Sequence, residues 1–110
     1  MDKRFDFYCE DVLTGKTKIR VEYESDTVLA FHHTKPLYTK HIVIIPKKHI
    51  KSLTDIQPDD YPLLLEMITV VKDLIVKQKL EKNGVRLITN MGKFQDSPHL
   101  HFHLVSGDKL

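Results

Sequence analysis

Apolar and imidazole side chains alternate strictly near the C-terminus, over residues 99–105. A period of two is typical of a β-strand, in which neighbouring side chains leave opposite faces. His99, His101 and His103 are therefore predicted to share one face, about 6.5–7 Å apart from one to the next. The apolar residues between them would leave the other face and enter a core. Histidine is neither a strong strand former nor a good core filler, so the row favours a metal site or imidazole catalysis over a merely solvent-facing strand.

The whole chain has 110 residues, which predicts a single domain over residues 1–110. Its net charge of +2 is too slight to indicate binding to a nucleic-acid polymer. No apolar run is as long as a membrane span and no leader precedes the domain, so we expect a soluble, cytoplasmic protein with no membrane partner. Cys9 is the single cysteine, which excludes an intrachain disulfide and fits a reducing compartment.

The periodicity of the chain predicts an α+β fold, a mostly antiparallel sheet with one long helix on one face. Residues 1–4 are expected to form a loose polar end, and residues 5–12 and 17–24 a hairpin, with a short helix over 7–13 as the alternative. Further strands are predicted over 27–31, 41–46, 85–90 and 99–105, and the helix over 58–81. The apolar stripe of this helix is wide, so it is either a well-buried core helix or meets a second subunit in part.

Neutral imidazole is a competent nucleophile near pH 7, and attack on phosphorus would split one difficult displacement into two easier steps. His101, flanked on its face by two further imidazoles, is the candidate nucleophile. His49 follows the buried strand and could join the cluster. Short polar side chains lie just before the histidine strand and could reach a phosphate: Asn90, Gln95, Asp96 and Ser97.

Two stretches resemble one known family. Residues 99–105 have the alternating pattern of the histidine-triad (HIT) superfamily, and residues 41–50 are similar to a second landmark of its nucleotide-binding, nucleoside-phosphoramidase branch. The resemblance covers about residues 26–105 and implies a five-stranded antiparallel sheet with a long helix, paired into a homodimer. It also implies hydrolysis or transfer at the α-phosphate of a purine nucleotide conjugate, such as a phosphoramidate, an acyl-adenylate or a dinucleoside polyphosphate.

The resemblance also implies roles for individual residues. His101 would carry the nucleotidyl group, with His99 and His49 supporting it. The remaining residues would bind the nucleotide, at the α-phosphate and ribose (His103, Asn90, Gln95, Asp96, Ser97, His32 and His33) and in the base pocket (Phe7, Ile19 and Phe31).

The chain departs from the family pattern at three places. Asp96 occupies the position of a phosphate-binding serine, where a carboxylate would repel phosphate, and His33 stands where an acidic residue often binds ribose hydroxyls. These departures leave a nucleotide-binding module with weak or no catalysis as the alternative. Members with structural zinc have paired cysteines where this chain has Asp6 and Cys9, so we expect no required cofactor and assign no metal ligand. A metal protein that uses the histidine row and His49 is the less favoured alternative.

Overall fold

The structure, a computed structural model, describes residues 4–110. Of the polar end expected at residues 1–4, residues 1–3 lie outside the described residues. Arg4 is tied to the body of the protein, because its guanidinium donates hydrogen bonds to the backbone carbonyls of Gln95 and Gly92. No helix within residues 4–110 is long and apolar enough to cross a membrane.

A five-stranded sheet forms the centre of the fold, and all its neighbouring strands pair antiparallel in the order β1-β2-β3-β5-β4. The α+β class and the five-stranded antiparallel sheet predicted from the sequence are therefore confirmed. The strands are β1 (Val21–Glu24), β2 (Val28–His32), β3 (Tyr38–Pro46), β4 (Val85–Ile88) and β5 (Phe102–Lys109).

One long helix, α1 (Tyr61–Lys77), covers one face of the sheet. Alternate residues of β3 and β5, such as Ile44 and Leu104, pack against it together with Met67. The observed helix is shorter at both ends than the helix predicted over 58–81. A 3₁₀ turn (Pro58–Asp60) precedes it, and at its C-terminal end Lys79 adopts a left-handed φ of 54°. Further 3₁₀ turns span Leu53–Asp55, Leu80–Asn83 and Gly92–Phe94.

The N-terminal segment is a short π-helix (Tyr8–Val12), so the strand predicted over 5–12 and its hairpin are wrong and the helical alternative is confirmed. The two buried residues of this helix, Tyr8 and Val12, are four apart, which is helical spacing. They pack on Phe31 and Val43, on the sheet face opposite α1. The strand β1 pairs with β2 instead of the N-terminal segment.

The histidine strand begins later than predicted, at Phe102. Before it, backbone N–H groups bond outside the β5 ladder: His99 donates to the carbonyl of Ser97 at 2.8 Å and Leu100 to that of Ile50 at 2.6 Å. Leu100, Phe102 and Leu104 still pack in the α1 core, as the alternation predicted. The imidazoles lie on the other face, which the π-helix covers in part.

Candidate active site

Five imidazoles and one phenol form a continuous row of rings on the face opposite α1. The ring of His49 lies 5.4 Å from that of His99, and Tyr8 packs against both His99 (5.8 Å) and His101 (4.8 Å). His101 lies 4.8 Å from His103, which lies 5.1 Å from His41. The structure therefore places the four histidines predicted to be catalytic, His99, His101, His103 and His49, in one row.

The backbone fixes the tautomer of His101. Its Nδ1 lies 2.6 Å from the carbonyl oxygen of His99, and because a carbonyl only accepts, Nδ1 carries the hydrogen. Burial lowers the pKa of His101 below its usual value, outweighing the opposite effects of the hydrogen bond to His99 and of Asp96. The ring is consequently neutral near pH 7, with the lone pair on Nε2 as its nucleophilic centre.

A second backbone contact fixes the tautomers of His41 and His103. The N–H of Leu37 donates to Nδ1 of His41 at 3.1 Å, so the proton of His41 is on Nε2, which donates to Nδ1 of His103 at 2.9 Å. The proton of His103 is therefore on Nε2. Burial, followed by neighbouring imidazoles, lowers the pKa of His41 to about 4 and that of His103 to about 3. His103 thus offers a neutral N–H donor at physiological pH.

A cavity of about 440 Å³ opens beside this pair. Its wall includes Asn90, His103, Asp96 and His33, four of the residues predicted to bind a nucleotide, and also Lys35. The backbone N–H of Lys35 donates to Nδ1 of His33 at 2.9 Å, which leaves the proton of His33 on Nε2. Burial lowers the pKa of His33, and Asp96 opposes that effect in part. The cavity therefore combines neutral donors with one ammonium and one carboxylate.

Gln95 and Ser97 are buried beneath the site rather than in this cavity wall. The side-chain amide of Gln95 donates to the carbonyl of Lys51 at 2.7 Å and approaches that of His99 at 3.5 Å. Because the carbonyl of His99 also orients His101, Gln95 supports the position of the His101 ring through that carbonyl. The backbone carbonyl of Ser97 accepts the N–H of His99.

The remaining nucleotide-binding candidates lie outside the wall of the 440 Å³ cavity. Phe31 is 1% exposed and packs with Tyr8, while Phe7 packs on the same cluster from a partly buried position. His32 bonds to Glu22 at 2.6 Å on the outer part of the sheet. Ile19 lines a different cavity of about 480 Å³, which none of the predicted catalytic histidines lines.

Two groups of side chains within residues 4–110 have the composition of a metal site. In the first, Nδ1 of His99 lies 3.1 Å from the carboxylate of Asp6 and 3.2 Å from Sγ of Cys9. Nδ1 of His49 lies 2.8 Å from Asp6 and 3.5 Å from Cys9. Since Nε2 of His99 donates to the carbonyl of Pro46 at 2.8 Å, the lone pair of Nδ1 faces the Asp6 carboxylate and the Cys9 sulfur, a position that either the thiol proton or a metal cation can occupy. These donors fit zinc.

The second group, His33, His41 and His103, does not fit a cation. Nδ1 of His33 and Nδ1 of His41 both accept backbone N–H groups, so the Nε2 atoms of both rings carry hydrogens. Binding a metal through Nε2 would move each proton to Nδ1 and set it against a backbone N–H. This group is therefore arranged to donate hydrogen bonds, which suits an anion.

Tyr8 and His41 were not predicted as site residues from the sequence. Tyr8 is 5% exposed and its ring separates His99 from His101, while burial, followed by the charges of Asp96 and Asp6, raises its pKa and keeps it a neutral phenol. The i, i+4 spacing of Tyr8 and Val12 was the available signal for the first, since it argues for a helix that turns Tyr8 inward. For His41 the signal was its position on the buried strand two residues before Val43, because residues two apart in a strand lie on the same face.

The antiparallel sheet, the single long helix and the row of imidazoles define a HIT-type α+β protein, and comparisons with known proteins give its family. The family described as "Scavenger mRNA decapping enzyme C-term binding" matches residues 7–109. An "Uncharacterized HIT-like protein" of Chlamydia trachomatis is 34% identical over 103 residues, covering 92% of each chain. A counterpart from Buchnera aphidicola is 33% identical over the same length and share of each chain. The chain belongs to the HIT-like superfamily.

Solved structures agree with this assignment. A HIT family hydrolase from Legionella pneumophila superposes with a TM-score of 0.85 at 32% identity, over 96% of this chain and 95% of that one. A histidine triad nucleotide-binding protein from Candida albicans superposes with a TM-score of 0.80 at 31% identity, over 94% of this chain and 76% of that one. The fold is thus that of HIT-family hydrolases.

Proposed function

We propose that this chain is a nucleotide hydrolase or transferase that cleaves a bond at the α-phosphate of a nucleotide conjugate through a nucleotidyl-His101 intermediate. The observation that carries the proposal is the 2.6 Å hydrogen bond from Nδ1 of His101 to the carbonyl of His99, which leaves Nε2 unprotonated. A neighbouring N–H donor on His103 and a cavity large enough for part of a nucleotide support it.

The reaction would proceed in two steps. In the first, the lone pair on Nε2 of His101 forms a bond to the α-phosphorus, and the leaving group departs with the electron pair of the broken bond and takes a proton from the solvent. In the second, water attacks phosphorus, the bond from phosphorus to Nε2 breaks, and the water loses a proton to the solvent. The Nε2–H of His103 and the amide of Asn90 would stabilise charge on the phosphoryl oxygens.

The test replaces His101 with glycine and supplies imidazole. We expect His101→Gly to lose about 10²-fold or more in single-turnover cleavage of an adenosine phosphoramidate while it still binds adenosine monophosphate. Free imidazole should restore part of the rate, because the missing ring leaves a space beside Tyr8. Mass spectrometry after a quench in base, which preserves the bond from phosphorus to nitrogen, should find the adduct on the unaltered chain alone. Unchanged turnover in His101→Gly contradicts the mechanism.

The same assays separate the enzyme from a nucleotide-binding module, which the carboxylate of Asp96 in the cavity wall favours. Calorimetry with adenosine and guanosine monophosphates measures binding independently of turnover. Tight binding without cleavage of phosphoramidates, acyl-adenylates or dinucleotides would identify the module. Tight binding with cleavage would identify the enzyme.

We also propose that Asp6, Cys9, His49 and His99 hold a divalent cation such as zinc, which would supply a structural cross-link between the π-helix and the end of β3. Cys9 is held as a thiol without a metal, since burial and the carboxylate of Asp6 raise its pKa to about 12. Metal analysis of protein purified without a tag or chelator should give about one zinc per chain, and Asp6→Ala should lose it. Equal metal content in the two proteins contradicts this site.

A homodimer is the proposed assembly. Leu65 is 67% and Val76 66% exposed on α1, and Leu87 is 45% exposed on β4, an edge strand of the sheet. Apolar side chains along a helix and an unpaired strand edge are surfaces that a second copy would cover. Light scattering should give twice the chain mass, and Leu65→Lys should lower it.

A further inference from the structure

Asp96 is the acidic residue in the wall of the 440 Å³ cavity beside His41 and His103. It shares that wall with His33, His103 and Asn90, and its charge acts on His101, His33 and the phenol of Tyr8. Within residues 4–110 no hydrogen bond or ion pair engages its carboxylate. The carboxylate is therefore free to interact with whatever enters the cavity.

The imidazoles nearby do not cancel this charge. His41 and His103 have pKa values of about 4 and about 3, and burial lowers that of His33, so these three rings of the cavity wall are neutral near pH 7. Among the residues that line the cavity, Lys35 carries a full positive charge, and it is exposed. A substrate group in the cavity thus meets one ammonium and one carboxylate, both on exposed side chains, and the carboxylate is the charge that acts on the His101 ring.

We propose that Asp96 is a specificity residue that selects nucleotide conjugates by the charge of the leaving group, favouring amines over phosphates. This inference rests on the proposed function. When a bond from phosphorus to nitrogen breaks, the nitrogen takes the electron pair and a proton from the solvent and leaves as an amine, which a second solvent proton converts to a cationic ammonium beside the carboxylate. When a bond from phosphorus to a bridging oxygen breaks, the leaving group is a phosphate anion, which the carboxylate repels.

The experiment compares two substrates that share the adenosine monophosphate group. One is a phosphoramidate of a primary alkylamine, and the other is a dinucleoside polyphosphate. The kcat/KM of each is measured for the unaltered chain and for Asp96→Asn, which keeps the shape and removes the charge. Asp73→Asn is the matched control, since Asp73 is exposed on α1 across the sheet from the site.

We expect the unaltered chain to prefer the phosphoramidate, and Asp96→Asn to raise kcat/KM for the polyphosphate by about 10- to 100-fold, the effect of one unit charge near the reacting group. The ratio should not change in Asp73→Asn, and the preference of the unaltered chain should weaken in high salt. A structural role for Asp96 would alter both substrates alike.

An unchanged ratio of the two kcat/KM values in Asp96→Asn, with both substrates cleaved, overturns this inference alone and leaves the nucleotidyl-His101 mechanism standing. A preference of the unaltered chain for the polyphosphate overturns it as well. If the unaltered chain cleaves neither conjugate and forms no His101 adduct, the proposed function fails and takes this inference with it.

Discussion

Acidification should destabilise the protein through the His41–His103 pair. The folded pKa of His41, about 4, is below the value of about 6.5 for an unfolded histidine. Below pH 6.5 the unfolded chain therefore binds a proton that the folded chain refuses. The free energy of unfolding should fall as the pH drops from 6.5 towards 4, and it should gain nothing from this pair above pH 6.5.

The size of the effect follows from these two values. A pH of 5 is 1.5 units below the pKa of about 6.5 of an unfolded histidine, which corresponds to a loss of about 2 kcal/mol in the free energy of unfolding. His41 is 4% exposed, but His103 is only partly buried and solvent reaches the pair, so we expect a contribution of about 1–2 kcal/mol from His41.

Urea denaturation at pH 7.5 and pH 5 measures this contribution in the unaltered chain and in His41→Gln. Glutamine can still accept the N–H of Leu37, but it does not titrate, so the loss of stability on acidification should be about 1–2 kcal/mol smaller in the variant. A chelator in every sample removes any contribution of a bound metal. Identical losses of stability in the two proteins would refute the assignment of a neutral, buried His41.

Two further pairs of substitutions test the packing, one pair at glycines and one at Tyr8, and thermal melts measure all four. Gly107 has a φ of 83°, and an added Cβ would lie 3.1 Å from Cβ of Thr39, so Gly107→Ala should cost about 2 kcal/mol. At Gly15 the φ is 82° but nothing lies within 4 Å, so Gly15→Ala should cost only about 1 kcal/mol. Tyr8→Ala should cost about 3 kcal/mol, whereas Tyr8→Phe, whose lost hydroxyl has no hydrogen-bond partner within residues 4–110, should change stability by less than about 1 kcal/mol.

The row of histidines and the long helix were predictable because their sequence patterns are long and regular. The alternation of residues 99–105 and the apolar stripe of α1 each extend over several repeats, so one period is clearly favoured. The N-terminal segment is only five residues long in the structure, and its sequence fits a period of two or of 3.6 equally well. Contacts of Tyr8 with Phe31 and His101, which are distant in sequence, decide in favour of the helix.

The sequence predicted the site residues that lie along one segment of the chain. It did not predict the contacts that form where two elements pack together. His101 and His103 share a strand face by simple alternation, which local sequence shows. The bond between His41 and His103 depends on the register of β3 and β5, which pairs Val43 with His103 and His41 with Val105 and so makes the two imidazoles diagonal neighbours. Periodicity within each strand does not determine that register.

His99 connects the nucleophile to the group of possible metal ligands. Its imidazole belongs to the group with Asp6, Cys9 and His49, while its backbone carbonyl accepts the Nδ1–H of His101. A shift of the His99 backbone would move the acceptor that keeps the proton of His101 on Nδ1. If the proposed cation is held by this group, it would restrain His99 and, through this carbonyl, help to keep the proton of His101 on Nδ1.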